Sequence, residues 1–253
     1  MVEQSKINPS AALLIIGNEI LSGRTQDSNL KYLAETLLTK GIKLIEARVI
    51  PDIEFEIMKA VTELRTKVDY LFTTGGIGPT HDDITAECMA KAFNVPLELN
   101  SNARSILLSY YGSESELTEA RLKMAMIPVG ASLISNPVSG APGFKIENVH
   151  VMAGVPRIMQ AMLDDVMMSL IGGELITSMT VGCNLGESVL AKRLTVIQDH
   201  YPSVEIGSYP QFRNGAVGVS LVTRGTDKQI VNEVKEKIKS MIIDLGGEIK
   251  SEF

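Results

Sequence analysis

The sequence predicts an α/β fold, with a mainly parallel sheet covered by helices over residues 1–171 and a small α+β unit over 172–253. Three observations predict it. Strand-like runs alternate with helical periods through short loops, the pattern of crossover connections in a parallel sheet. The strand runs are apolar at consecutive positions, as expected of strands covered on both faces. A composition break at Ile171-Gly172-Gly173-Glu174 then opens a region of different element order.

Taken in order, AALLII at 11–16 is a short buried strand ending at Gly17. A polar stretch leads into LKYLAETLLTKG, where Leu30, Leu33, Leu37 and Leu38 recur at helical spacing, Asp27 or Ser28 can cap the start, and Gly41 closes the end. IKLIEARVI at 42–50 is a second strand, stopped by Pro51-Asp52. Residues 53–66 carry a helical face of Ile53, Ile57, Met58, Val61 and Leu64. VDYLFTT at 68–74 is a third strand, and after a glycine-rich turn ITAECMAKAFN resumes the helical period.

Residues 97–126 read as two further helices, with Ser101, Ser113 or Ser115 as caps. Strand-like pieces follow at 131–135, 143–147 and 148–153, and Pro156 suits the first turn of a helix reaching Leu170. Past the break the order is strand (176–183), helix (186–201), strand (204–212), strand (215–223) and helix (227–245).

Composition excludes several function classes. The 253 residues are 45% hydrophobic and 21% charged, with 24 basic against 30 acidic side chains, a net charge of −6. That balance argues against a nucleic acid held by a general basic field, and the second unit shows no GXXG loop or basic stripe. Cys88 and Cys183 have no metal-ligand spacing and fit a reduced, cytoplasmic protein. The start MVEQSKINPS lacks the order of a signal peptide, and no apolar run is long enough to span a membrane.

The chemistry concentrates in TTGGIGPTHDD, Thr73 to Asp83, at the carboxyl end of the third strand, where open α/β sheets bind ligands. Gly75, Gly76 and Gly78 let a ligand approach the backbone, whose N–H groups can cradle an anion. Thr73, Thr74 and Thr80 add hydroxyls, and Pro79 stiffens the exit. The bland alternative is a tight turn with aspartates capping the next helix. A cap needs one carboxylate, whereas Asp82 and Asp83 supply two. Acids beside a phosphate repel it unless a cation intervenes, and Mg²⁺ commonly joins one or two carboxylates to substrate phosphates. Asp82 and Asp83 are therefore the expected ligands of a divalent metal such as Mg²⁺; the family resemblance given below admits Co²⁺ as the alternative ion.

Other strand ends supply Glu19, Asp27, Asn29 and Asp52. Each alone reads as an ordinary loop residue; their recurrence along one sheet edge is what suggests a site. His81 reads as an exposed turn residue or, alternatively, a proton donor. SNPVSGAPGF, containing Asn136, and MAGVP, containing Gly154, are Gly/Pro loops able to line a pocket or simply to connect elements.

Together, GNEILSG, DSN, PD, GGIGPTHDDIT, NPVSGAPGF and AGVPRIM resemble, in order, the molybdopterin-binding (MoCF) domain family, in its competence/damage-inducible protein A branch. The GGIGPTHDDIT run is also similar to the molybdopterin-binding-like domain of eukaryotic FAD synthases. The resemblance covers about residues 11–170, and the following α+β unit is similar to the one that follows in the same branch. It implies a three-layer α/β/α fold, a homo-oligomer, and a small phosphorylated ligand, either a dinucleotide or molybdopterin.

In activity it implies a metal-dependent pyrophosphatase acting on ADP-ribose or FAD, or else a molybdopterin-binding protein without turnover. Carried over by motif, Gly75, Gly76, Gly78, Pro79, Thr80, Asp82 and Asp83 would cradle phosphate and metal, and Asp52 matches the acid after the second strand. Glu19, Asp27 and Asn29 match polar positions on the same edge. The chain departs from the pattern at Ala153, at Ile158 and at Ser139-Gly140. Asp83, Asp82, Asp52 and Glu19 are the expected catalytic group. The expected substrate contacts are Gly75, Gly76, Gly78, Pro79, Thr80, Thr74, Asp27, Asn29, Asn136 and Gly154.

Overall fold

The computed structural model describes residues 8–213 and 216–252. Residues 1–7 of the polar leader and position 215, the expected start of a strand, lie outside the described residues. The chain divides into two compact units, Met1–Gly173 and Glu174–Phe253, against the 171/172 break read from composition.

The first unit runs β1 (Ser10–Ile16), α1 (Asn18–Leu21), α2 (Asn29–Leu38), β2 (Lys43–Ile50), α3 (Glu54–Leu64), β3 (Tyr70–Thr74) and α4 (Thr85–Ala92). It continues with β4 (Leu97–Leu99), α5 (Ser101–Tyr111), α6 (Glu119–Lys123), β5 (Met126–Pro128), β6 (Ser132–Ile134), β7 (Gly143–Ile146), β8 (Val149–Met152) and α7 (Pro156–Ser169). Its main sheet has the order β2-β1-β3-β8-β7-β6. The first four strands are parallel, and β7 and β6 add an antiparallel end. This is the mainly parallel α/β fold expected.

The consecutive apolar residues of β1 have a simple cause. Ala12, Leu14 and Ile16 enter one core with Ile57, Val61 and Leu64 of α3 and Met89 of α4. Ala11, Leu13 and Ile15 enter another, with Leu33 and Leu37 of α2 and Met159, Met162 and Leu163 of α7. A strand with a core on each side cannot alternate apolar with polar residues.

Five details correct the expectations. β2 is not covered on both faces: it is an edge strand in which every second residue is exposed. A short helix, α1, occupies the polar stretch after β1. Within residues 97–126, β4 and β5 form a separate antiparallel pair. The cap of α5 is Asn100, not Ser101, because Asn100 Oδ1 accepts from the N–H groups of Asn102 and Ala103. Ser113 leads only a single 3₁₀ turn at Glu114–Glu116, and Thr118 caps α6.

The second unit is β9 (Thr177–Cys183), α8 (Glu187–His200), β10 (Glu205–Arg213), β11 (Ala216–Gly225), α9 (Lys228–Asp244) and β12 (Ile249–Glu252). Its antiparallel sheet has the order β10-β11-β9-β12. Val181, Leu190, Leu221, Val234 and Ile238 form its core. The sequence showed no β12, since IKSE at a sheet edge has one half-buried residue and no apolar run. Among the described residues no helix is long and apolar enough to cross a membrane.

Candidate functional site

The carboxyl ends of β1, β3 and β8 converge on a cavity of about 580 Å³, within the range of small-ligand sites. Glu19, Gly75, Gly76, Gly78, Pro79, Asp83, Asn136 and Gly154 line it, which brings together eight of the residues singled out in the sequence. Ile77, Tyr111, Met124 and Ile158 add apolar wall. A smaller hollow of about 200 Å³ shares Gly76, Ile77, Gly78 and Asp83 and opens toward Lys123, Leu97 and Phe144.

The turn after β3 is built by glycine for a steric reason. Gly75 and Gly76 take φ of +102° and +68°, and a Cβ on Gly75 would lie 2.1 Å from the Ile16 carbonyl oxygen. The buried Thr85 locks the turn, its Oγ1 donating to Gly75 O at 3.0 Å and its N–H to Gly76 O at 3.0 Å. With those contacts made, the N–H groups of Gly76, Ile77 and Gly78 donate to no group among the described residues. Three successive unengaged donors on a cavity wall are the kind of backbone arrangement that can receive an anion. The N-terminus of α7 adds to it, since Val155 and Pro156 line the cavity and the helix carries no side-chain cap there.

The aspartates do not cap α4. Its N-cap is Ile84, without a side-chain hydrogen bond. Asp83 Oδ2 instead accepts the Thr80 N–H at 2.8 Å, and Asp82 Oδ1 accepts the Thr80 hydroxyl at 2.6 Å. That hydroxyl also contacts Asp83 Oδ2, so a single proton stands between two carboxylates. The Thr80 bond is the first cause holding Asp82 below the usual carboxylate range, with the nearby charges of His81 and Lys123 contributing less. Asp83 packs against the turn, where a Cβ on Gly78 would meet its Oδ2 at 2.7 Å. Asp82 does not line the cavity; its side chain is 60% exposed, and it reaches Asp83 only through the shared Thr80 hydroxyl.

Asp52, Asp27, Asn29 and Thr74 do not line the cavity. Asp52 Oδ2 accepts the Asn18 N–H at 2.8 Å and so fixes the start of α1, which carries Glu19. Asp27 Oδ1 accepts from Leu30 N–H at 2.9 Å at the start of α2. Asn29 is buried, and its Nδ2 donates to Gly154 O at 2.8 Å, tying the β8–α7 loop to α2. Thr74 is buried in β3; its hydroxyl and Asn29 Oδ1 have no hydrogen-bond partner among the described residues. Asn136 spends its amide on its own loop, donating to Ser139 Oγ and Ala141 O and accepting from the N–H groups of Val138 and Ser139. His81 projects into solvent, its side chain 97% exposed.

Sequence reasoning missed Lys123, Thr85 and Tyr111. Lys123 Nζ donates to the Thr80 carbonyl, setting a cation beside the aspartates. Thr85 lay inside a motif already quoted; Lys123 and Tyr111 belong to no motif and reach the cavity only through the fold. A thiol nucleophile is excluded by Cys88 being buried, which pushes its pKa up to about 11.

A divalent ion would find a particular donor set. Among the described residues no group of three or more His, Cys, Asp or Glu is placed to hold a metal. Two carboxylates and a hydroxyl are too few for an all-protein cage, yet they are hard oxygen donors suited to an ion that keeps waters and shares substrate phosphates. The residues present fit Mg²⁺ in that role.

Comparison with known proteins agrees with this geometry. A family model described as "Probable molybdopterin binding domain" matches residues 12–172, and one described as "FAD synthase, middle domain" matches 176–245. A protein from Caldivirga maquilingensis is 35% identical over 244 residues, covering 92% of this chain and 95% of its own. A competence-damage inducible protein from Clostridium beijerinckii is 31% identical over 92% of this chain and 60% of its own length. The crystal structure of CinA from Thermoplasma acidophilum, a protein of unknown function, is similar at a TM-score of 0.60 and 34% identity, over 63% of this chain and 96% of that one. With its glycine turn, its paired aspartates and its two-unit order, the chain belongs to the molybdopterin-binding (MoCF) domain family, in the CinA-like branch.

Proposed function

We propose that the chain is a divalent-metal-dependent pyrophosphatase that cleaves the diphosphate of a dinucleotide such as ADP-ribose or FAD. The observation that carries this reading is the meeting of three backbone donors with Asp83 on one cavity wall, with Asp82 joined to Asp83 through the Thr80 hydroxyl. Asp82 and Asp83 would hold the ion, which when bound supplies Lewis-acid charge to the phosphate and a more acidic water.

The chain's own groups do the rest. The N–H groups of Gly76, Ile77 and Gly78 donate to phosphate oxygens and to the charge that grows on them during displacement. Lys123 offsets the excess negative charge of the aspartates. Tyr111, Met124 and Ile158 give a planar base or sugar an apolar wall. Glu19, the remaining acid on the cavity wall, would accept a proton from the attacking water. The match of the second unit to an FAD synthase domain supports a nucleotide rather than a free phosphate as ligand.

A second reading is favoured by the family description itself: the cavity binds molybdopterin or its nucleotide without turnover. The two separate cleanly. The purified chain is incubated with ADP-ribose or FAD, with Mg²⁺, with Co²⁺ and with chelator. The proposal expects AMP release that depends on metal and falls at least about 100-fold in Asp83→Asn, the scale of losing one preorganised electrostatic group. Absence of AMP release under all conditions, with tight pterin binding, favours the binding protein. Full activity in Asp83→Asn removes the metal assignment.

A further inference from the structure

The face of the main sheet beneath α7 holds a row of polar side chains among apolar ones. Ser132 of β6, Lys145 of β7 and His150 of β8 are register partners in neighbouring antiparallel strands, so they stand on one face about 5 Å apart. Ile134, two residues on from Ser132, and Met152, two on from His150, enter the core with α7, which assigns the row to that face. Exposure falls along it. Ser132 is exposed on the outermost strand, Lys145 is half-buried and His150 is fully buried. With Asp165 and Ser169 of α7, the three line a hollow of about 400 Å³, large enough for a small ligand. It shares no residue with the phosphate cavity.

Hydrogen bonding along the row is incomplete. Neither ring nitrogen of His150 has a partner among the described residues; the main chain at Leu71 and Asn148 lies near the ring without completing a bond. Lys145 Nζ and Ser132 Oγ make no hydrogen bond or ion pair among the described residues either. Asp165 does not pair with Lys145; its Oδ2 accepts the Ser135 N–H at 2.9 Å. Buried polar groups in folded proteins are normally paired, so an orphaned imidazole on the wall of a hollow calls for a missing partner. Burial keeps that imidazole neutral at pH 7, and it then carries one N–H. A hydroxyl, an ammonium and an imidazole N–H thus follow one another from the sheet edge inward, three donors with no acceptor.

We propose that this hollow is a second ligand site, taking a small carboxylate anion whose oxygens accept from Lys145 and His150. The carboxylate of Asp165 on the α7 side favours one negative charge over the two that phosphate carries above neutral pH. This inference does not depend on the reaction at the phosphate cavity.

The test uses the full chain and acetate as the probe. The chain has three histidines, His81, His150 and His200, so each imidazole C–H signal can be followed separately by NMR. His81→Gln and His200→Gln, both at exposed positions, identify the remaining signal as His150 and leave the core intact. Slightly above neutral pH, acetate is expected to shift the His150 signal to saturation while the other two stay in place, and inorganic phosphate is expected to bind more weakly. Lys145→Met is expected to weaken acetate binding at least about tenfold, the scale of losing one charge-assisted hydrogen bond, whereas Lys145→Arg keeps the charge and the binding. A His150 signal that acetate does not move at any concentration the fold tolerates would overturn the proposal. So would equal shifts of all three signals, which mark an adventitious ion only, or undiminished acetate binding in Lys145→Met. Phosphate binding tighter than acetate would overturn the choice of a singly charged carboxylate.

Discussion

A Cβ on Gly76 would lie 2.1 Å from Thr85 Oγ1, whereas a Cβ on Gly78 would lie 2.7 Å from Asp83 Oδ2. The two glycines of one motif therefore do different work, and alanine substitution separates them. Gly76→Ala forces a positive φ of +68° on alanine and displaces the threonine that closes the turn. It is expected to destabilise the fold by about 1–3 kcal/mol, read as a lower melting temperature. Gly78 has no positive φ to defend, so Gly78→Ala should melt near the natural chain while moving Asp83 and losing most AMP release. These residues were legible in the sequence because their constraints are local: a turn that only glycine can make and a charge pair that no cap requires. Lys123 was not legible, since its place beside Thr80 depends on α6 being folded back toward the turn from 43 positions away.

At the scale of elements, β1 was readable from its run of apolar residues because it separates two cores, each taking alternate side chains. β2 looked similar in sequence but lies at the edge, where Glu46 and Arg48 need no burial and Ile45 and Val49 stay exposed. Short edge strands such as β4, β5 and β12 show no period that a sequence window can detect.

β8 carries a titration consequence of its own. His150 is 1% exposed, stacked on Phe72 at 5.1 Å, and neither ring nitrogen has a hydrogen-bond partner among the described residues. Burial, with a smaller contribution from Lys145, lowers its pKa from 6.5 to about 4. The folded state therefore holds the neutral ring while the unfolded chain takes up a proton below pH 6.5. Stability is full above pH 6.5 and declines as pH falls from 6.5 toward 4, by up to about 3 kcal/mol. Denaturant unfolding of the first unit across this range should show that decline, and His150→Phe should remove it. An unchanged slope in the variant would place the loss elsewhere.

For the whole molecule, the net charge of −6 and the acids on the cavity wall, Asp83 and Glu19, both oppose an incoming diphosphate. Three backbone donors, one helix terminus and Lys123 are the features that oppose that field locally. A cation shared by protein and ligand is what makes the arrangement consistent. The overall acidity was plain in the sequence. Its significance came only from the fold, which puts Asp83 within the cavity and leaves Asp52 fixing α1.

The most direct test is the affinity for ADP-ribose measured at equilibrium, with and without Mg²⁺, in the natural chain and in Asp82→Asn/Asp83→Asn. The account predicts that Mg²⁺ tightens binding at least about tenfold in the natural chain, a coupling of roughly 1.4 kcal/mol, and leaves the double variant unaffected. Equal affinity with and without the ion in the natural chain, or an equal Mg²⁺ effect in the double variant, would contradict it.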